Sequence, residues 1–192
     1  MTGLYVALGA AALVAIWVAA NYNYLVRVRN QVRESWSDID TELKRRYDLI
    51  PNLVRTVKGY AEHEQDTLAR VIEARQRALD STGAVRAQEA DEKALVGSLR
   101  HLFAVAEGYP DLKANQNFLD LQEELANTED RIQAARRFYN GNVRDLNTRI
   151  EVFPSNIVAS LFGFKRADLF EVEDAGIRRA PAVGPGLGGA KS

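Results

Sequence analysis

The chain has 192 residues, 46% hydrophobic and 27% charged, enough for one domain with a real core. It has no cysteine, which excludes disulfides, thiolate zinc sites and cysteine nucleophiles; two histidines, His63 and His101, leave little for an imidazole-built metal site. A formal charge of -1 and a pI near 6.2 argue against a dominant nucleic-acid footprint.

The charges are unevenly placed. None occurs before Arg27, and residues 4–20 form an unbroken apolar run. As a helix that run reaches about 26 Å, and residues 21–26 carry it through an interface, so a membrane span is predicted. Leu4, Leu8, Leu13, Ile16 and Trp17 supply the bulk of the anchor. Tyr5 lies near one end, and Trp17, Tyr22 and Tyr24 near the other, where interfacial aromatics concentrate. A cleaved signal peptide is the competing reading, with Val18-Ala19-Ala20 as a plausible cleavage site, but Met1-Thr2-Gly3 lacks the basic side chains of such peptides. Arg27, Arg29 and Arg33 follow the span, so the positive-inside rule places the N-terminus outside and the body in the cytoplasm. Gly3, Ala7, Ala11, Ala15 and Ala19 recur every four residues, a small-residue stripe suited to lateral association in lipid. The plainer alternative is that an alanine-rich span produces this spacing by chance.

From Leu25 the apolar positions step by three and four: Leu25, Val28, Val32, Trp36, Ile39, Leu43, Tyr47, Ile50, Val54, Val57 and Ala61, then Leu68 and Ile72. This predicts one long amphipathic helix ending at the turn residues Asp80-Ser81-Thr82-Gly83. Pro51 lies inside it. The stripe keeps its phase there, so a kink is expected, with a true break capped by Asp48 as the alternative. A second helix is predicted over residues 85–107, with Leu95, Leu99, Leu102 and Val105 inward, stopped by Gly108-Tyr109-Pro110. A third is predicted over residues 111–152, on a stripe running from Phe118 through Leu125, Ile132, Tyr139 and Leu146 to Ile150. Phe153-Pro154-Ser155 ends it, and Ser155 can cap a short segment over residues 156–162. Residues 175–192, rich in Gly, Pro and Ala, are expected to be disordered. The fold class is therefore all-α: a transmembrane anchor (1–26), an elongated antiparallel bundle of three long helices plus a short C-terminal helix (27–174), and a tail (175–192).

Chemical motifs are scarce. His63-Glu64 opens like a zinc-protease helix, but the second histidine would stand at Thr67. Glu123, Glu124, Glu129 and Asp130 include no Glu-x-x-His pair and read as a solvated acidic face. Lys44-Arg45-Arg46, flanked by Glu42 and Asp48, reads as a solvated basic face with helical ion pairs, with contact to acidic lipid or a partner as the alternative. No Gly-rich phosphate loop, nucleophile elbow or Ser/His/Asp set is present, so no catalytic, cofactor-binding or metal-ligating residue is assigned. Ile157, Val158, Leu161, Phe162 and Phe164, followed by Lys165-Arg166, form a candidate interfacial segment, with closure of the bundle end as the alternative.

These residues resemble the LemA family of bacterial membrane proteins. The resemblance begins at Tyr22-Asn23 and Leu25 to Asn30, and is most specific at Trp36-Ser37-Asp38-Ile39-Asp40 and from Leu43 through Pro51 to Val54. Thr56 to Ala61 extends it. It resumes at Tyr109 to Asn115, Leu121 through Thr128 to Ile132, Ala135 to Asn140 and Asn147 to Ile150, then at Phe153 to Ala159 and Leu161 to Lys165. Leu146 departs from the pattern, which has Tyr there, and residues 82–93 carry little likeness. The resemblance implies a single-pass protein of the bacterial cytoplasmic membrane with an elongated helical bundle, no established enzymatic activity and no cofactor. One type of family member is linked with magnetosome membranes, which keeps membrane organisation in view.

The expected function is a membrane-anchored scaffold that self-associates or recruits protein partners and contacts membrane lipid, with no catalysis, small-molecule substrate or nucleic acid. A membrane-remodelling protein using the apolar C-terminal segment is the alternative, and a hydrolase or metal enzyme a remote one. The overall charge of -1 is an average. Residues 1–26 carry no charged side chain, the tail holds Arg178, Arg179 and Lys191, and the body keeps 22 basic and 26 acidic groups, a net of -4.

Overall fold

One helix, α1 (Thr2–Lys58), carries both the apolar run and the first wall of the body. Its 57 residues span about 85 Å. The structure, a computed structural model, describes residues 1–81 and 85–171. The expected turn at 82–83 and tail at 175–192 lie outside them, as does the end of the expected body beyond residue 171. After α1 come α2 (Gln65–Asp80), α3 (Val85–Ala106), α4 (Pro110–Lys113), α5 (Gln116–Glu151) and α6 (Ser155–Leu161). No strand occurs among the described residues.

Pro51 does not break α1. A proline has no N–H, so the carbonyl four residues back, that of Tyr47, loses its helical donor. Arg75 of α2 donates its Nε–H to that carbonyl at 2.7 Å. The alternative break at Asp48 is absent, and the helix runs on to Lys58.

The long first helix expected to reach Asp80 is in fact two. The chain turns after Lys58, and α2 returns along α1. The apolar phase hid this turn, because Ala61 is buried within it and Leu68 is buried beyond it. The phase is then lost: Val71 is fully buried and Ile72 is 51% exposed. The third helix is likewise divided. Asn115 adopts an extended backbone between α4 and α5, and its side chain accepts the Phe118 N–H at 3.1 Å, an N-cap. The body is therefore a bundle of four long helices, α1, α2, α3 and α5, with α4 and α6 as short end pieces.

The α1–α5 pair is the most extensive. It runs antiparallel, and contacts follow in order along it. Asn115 donates to Tyr60 Oη at 2.9 Å, Arg46 to Glu129 at 2.6 Å, and Asn142 to Ser35 Oγ at 3.2 Å; Tyr24 donates to Asp145 at 3.0 Å. The α2–α3 hairpin covers only the end distant from the anchor, where Phe103 of α3 meets Phe118 of α5 with ring centroids 6.1 Å apart.

About three-quarters of the way along α1 lies a buried polar cluster. Arg46, expected on a solvated face, is 3% exposed. Its guanidinium donates to Glu92 of α3 and Glu129 of α5. Tyr47 donates its hydroxyl to Glu92 as well, and Gln88 donates to both Tyr47 Oη and Glu92. Glu129 is thus drawn out of the expected solvated acidic face into an ion pair. Burial, then the adjacent Glu92 carboxylate, pushes the Tyr47 phenol well above its ordinary value of 10.0.

Removing one partner from a buried ion pair leaves an uncompensated charge in the core. Arg46→Met should therefore lower stability by about 3–5 kcal/mol, read by chaotrope unfolding of the full chain in detergent. Adding Glu92→Leu should recover a large part of that loss, and no recovery would mean that the cluster acts other than by charge balance. Tyr47 also predicts an alkaline limit. Its folded value lies above its unfolded one, so the unfolded chain releases the phenolic proton first. The contribution of this phenol to stability is fully present well below pH 10.0 and is lost as pH rises past it. Thermal unfolding of Tyr47→Phe should show a shallower alkaline decline than the parent.

Candidate membrane interface

The predicted anchor stands clear of the bundle. Leu4, Leu8, Leu13 and Ile16 are 59–70% exposed and Trp17 is 38% exposed, although their composition would normally place them in a core. Gly3, Ala7, Ala11, Ala15 and Ala19 are exposed too, and a methyl group added at Gly3 would meet nothing within 4 Å. An 18-residue window of this stretch has a mean hydropathy of 2.1 with none of it buried, a surface suited to lipid. Burial begins at Val18, which is half-buried, and is complete at Leu25.

Where α1 enters the bundle, α6 closes against it. The candidate interfacial segment divides between two faces. Ser155, Val158 and Ala159 are buried, and Phe164 is 9% exposed, so Val158 and Phe164 belong to the core rather than to a free face. Ile157, Leu161 and Phe162 are 57%, 73% and 49% exposed. Val152 and Phe153 are 51% and 74% exposed beside them in sequence. Tyr22 joins the two elements, with its ring 4.7 Å from Phe162 and 5.9 Å from Phe164. The Arg29 guanidinium lies 5.0 Å from the Phe164 ring centroid, a cation–π contact.

Ser155 does not cap α6. It is the first residue of the helix, and its hydroxyl donates back to the carbonyls of Arg149 and Val152 at the end of α5. The other end of α6 closes through a glycine. Gly163 has φ +68, its N–H donates to Ser160 O, and the next N–H, of Phe164, donates to Ala159 O. This paired closure needs a left-handed residue, which glycine supplies without strain.

Gly163 redirects the chain into an extended strap over residues 165–171, lying against α5. Asn147 binds both backbone groups of Ala167: Nδ2 donates to its carbonyl and Oδ1 accepts its N–H, each at 2.9 Å. Asn140 holds Phe170 in the same way, at 3.0 and 2.9 Å. The spacing explains the match. Seven residues of helix rise about 10.5 Å, and three extended residues cover about 10 Å. Tyr139 adds a hydrogen bond from its hydroxyl to the Asp168 carbonyl at 2.9 Å. Phe170 is fully buried and stands edge-on to Trp36 with ring centroids 5.3 Å apart, so the strap covers the α1–α5 groove in place of a helix.

The polar chemistry elsewhere is spread out. Glu64 accepts a hydrogen bond from Tyr109, and no group of three or more metal-ligating side chains occurs among the described residues. These features define a membrane-associated, all-helical protein with one apolar N-terminal helix extending from its bundle. The chain belongs to the LemA family, whose model matches residues 35–184. It is 28% identical over 153 residues to Protein LemA of Metamycoplasma hominis, covering 79% of this chain and 69% of that one. It is 26% identical over 191 residues to Magnetosome protein MamQ 2 of Paramagnetospirillum magneticum, covering 86% and 70%. To Magnetosome protein MamQ of Magnetospirillum gryphiswaldense it is 24% identical over 180 residues, covering 81% and 66%.

Asn140→Ala and Asn147→Ala should each release part of the strap. Hydrogen exchange at the Phe170 and Ala167 amides should accelerate, with global stability reduced by about 1–2 kcal/mol. Unchanged exchange at both amides would show that Phe170 packing alone holds the segment.

Proposed function

We propose that this protein is a non-catalytic scaffold, anchored in the bacterial cytoplasmic membrane by residues 1–26, which self-associates or recruits protein partners. The observation that carries this reading is the continuity of α1. The same helix forms the apolar anchor and the bundle's longest wall, so the body is joined rigidly to the anchor rather than through a linker. From Tyr22 to Lys58 it extends about 55 Å beyond the apolar segment. Arg27, Arg29 and Arg33 directly after the apolar run favour a cytoplasmic body. The two relatives named as magnetosome proteins support a role in organising a bacterial structure rather than in turning over a small molecule.

The small-residue stripe is the face proposed for self-association. Close backbone approach along it allows packing between helices in lipid, where hydrophobic burial provides no drive. The absence of native cysteine makes the test clean. Ala7→Cys, Ala11→Cys and Ala15→Cys should form oxidant-catalysed disulfide dimers in native membranes, whereas Leu13→Cys, on the opposite side of the helix, should not. Uniform dimerisation at all four positions would indicate random collision. No dimers at any position would remove self-association through the anchor.

A further inference from the structure

The geometry points to a second membrane contact: the outward face of α6, with Phe153 before it and Phe162 after it, rests in the headgroup–acyl boundary of the membrane that holds the anchor. This rests on the membrane-anchored reading above and adds a lipid-binding surface to the folded body. The first ground is the pattern of exposure. The buried face of α6 already closes the bundle through Ser155, Val158 and Ala159. The opposite face should then be polar in a protein surrounded by water. It instead presents Ile157 and Leu161 around the exposed Ser160, with Phe153 before the helix and Phe162 after it, and these four apolar side chains are between 49% and 74% exposed.

The second ground is position, which selects lipid over other occupants. Phe162 packs on Tyr22, only two residues beyond the end of the apolar run at Ala20. Two residues rise about 3 Å along a helix, so the contact lies within one turn of the hydrocarbon edge. The apolar face is thus continuous with the anchor surface at the level where aromatic side chains favour the interface. Arg27 and Lys165 are exposed nearby in sequence, and basic groups beside an apolar face strengthen attachment to anionic lipid. With α1 as one attachment and α6 as another beside it, the bundle is held at a fixed angle to the membrane.

Site-directed spin labelling of the full chain tests this directly. Ile157→Cys, Leu161→Cys, Leu13→Cys and Phe138→Cys would each carry a nitroxide, in vesicles of phosphatidylethanolamine and phosphatidylglycerol. All four native side chains are at least 57% exposed, so the fold should tolerate the labels. Phe138, on the body and 62% exposed, is the aqueous reference, and Leu13 the deep one. Labels at 157 and 161 should show an oxygen-to-nickel-chelate accessibility ratio several-fold above that at 138 and below that at 13. Ratios at 157 and 161 equal to that at 138, with 13 deep in lipid, would overturn the α6 contact while leaving the anchor intact. Spin–spin broadening at 157 and 161 without oxygen preference would assign the face to a second copy and also overturn it. A water-exposed label at 13 would remove the anchor reading, and the α6 contact with it.

Discussion

Two adjacent residues of α1 determine how the long helices fit together. The Arg46 guanidinium bridges to α3 and α5 through Glu92 and Glu129, and the Tyr47 hydroxyl reaches Glu92. The Tyr47 carbonyl, deprived of its own donor by Pro51, accepts from Arg75 of α2. One level of the bundle therefore ties α1 to the three other long helices. Apolar stripes alone tolerate sliding by a turn, because leucine against leucine looks similar at each level. A buried charge with partners on two helices is satisfied in one register only, so it selects alignment even where its net contribution to stability is small.

The remainder of the bundle follows from that alignment. With α1 and α5 fixed antiparallel, the α2–α3 hairpin covers their far half and leaves the half nearest the anchor as a two-helix ribbon. Such a ribbon exposes apolar surface unless something covers it. Here α6 and the strap do so: Phe170 fills the space beside Trp36, and Asn140 and Asn147 satisfy backbone groups that a strand would otherwise pair.

Patterns repeated locally were readable in the sequence, and contacts between distant segments were not. The exposed apolar start of α1 follows from residues 4–20 alone, α3 ends within a residue of expectation, and the α5 stripe from Phe118 to Leu146 faces the core. Arg46 was misread because its partners lie 46 and 83 residues away, and the adjacent Lys44 and Arg45 made it look solvated. One local sign was present. Leu43, Arg46, Ile50, Leu53 and Val57 step by three and four, and all are buried, so Arg46 occupies a core position in the pattern. The turn after Lys58 was hidden by Ala61, buried within the turn, and Leu68, buried on the reversed helix, which together preserve the phase. The two faces of α6 could not be separated from seven residues that are mostly apolar on both sides.

The unbroken α1 also has a mechanical consequence. In the proposed anchoring, a helix shared by bilayer and body is a lever whose short arm lies in lipid. From Tyr22 to Lys58 the long arm measures about 55 Å, so a tilt of about 10° sweeps its tip sideways by about 10 Å. Tilt of a spanning helix responds to bilayer thickness and to the packing of neighbouring helices. If α6 rests on the bilayer beside that fulcrum as proposed, the sweep is braced on one side and free on the other, so a change in the bilayer would swing the far end of the rod in a preferred direction.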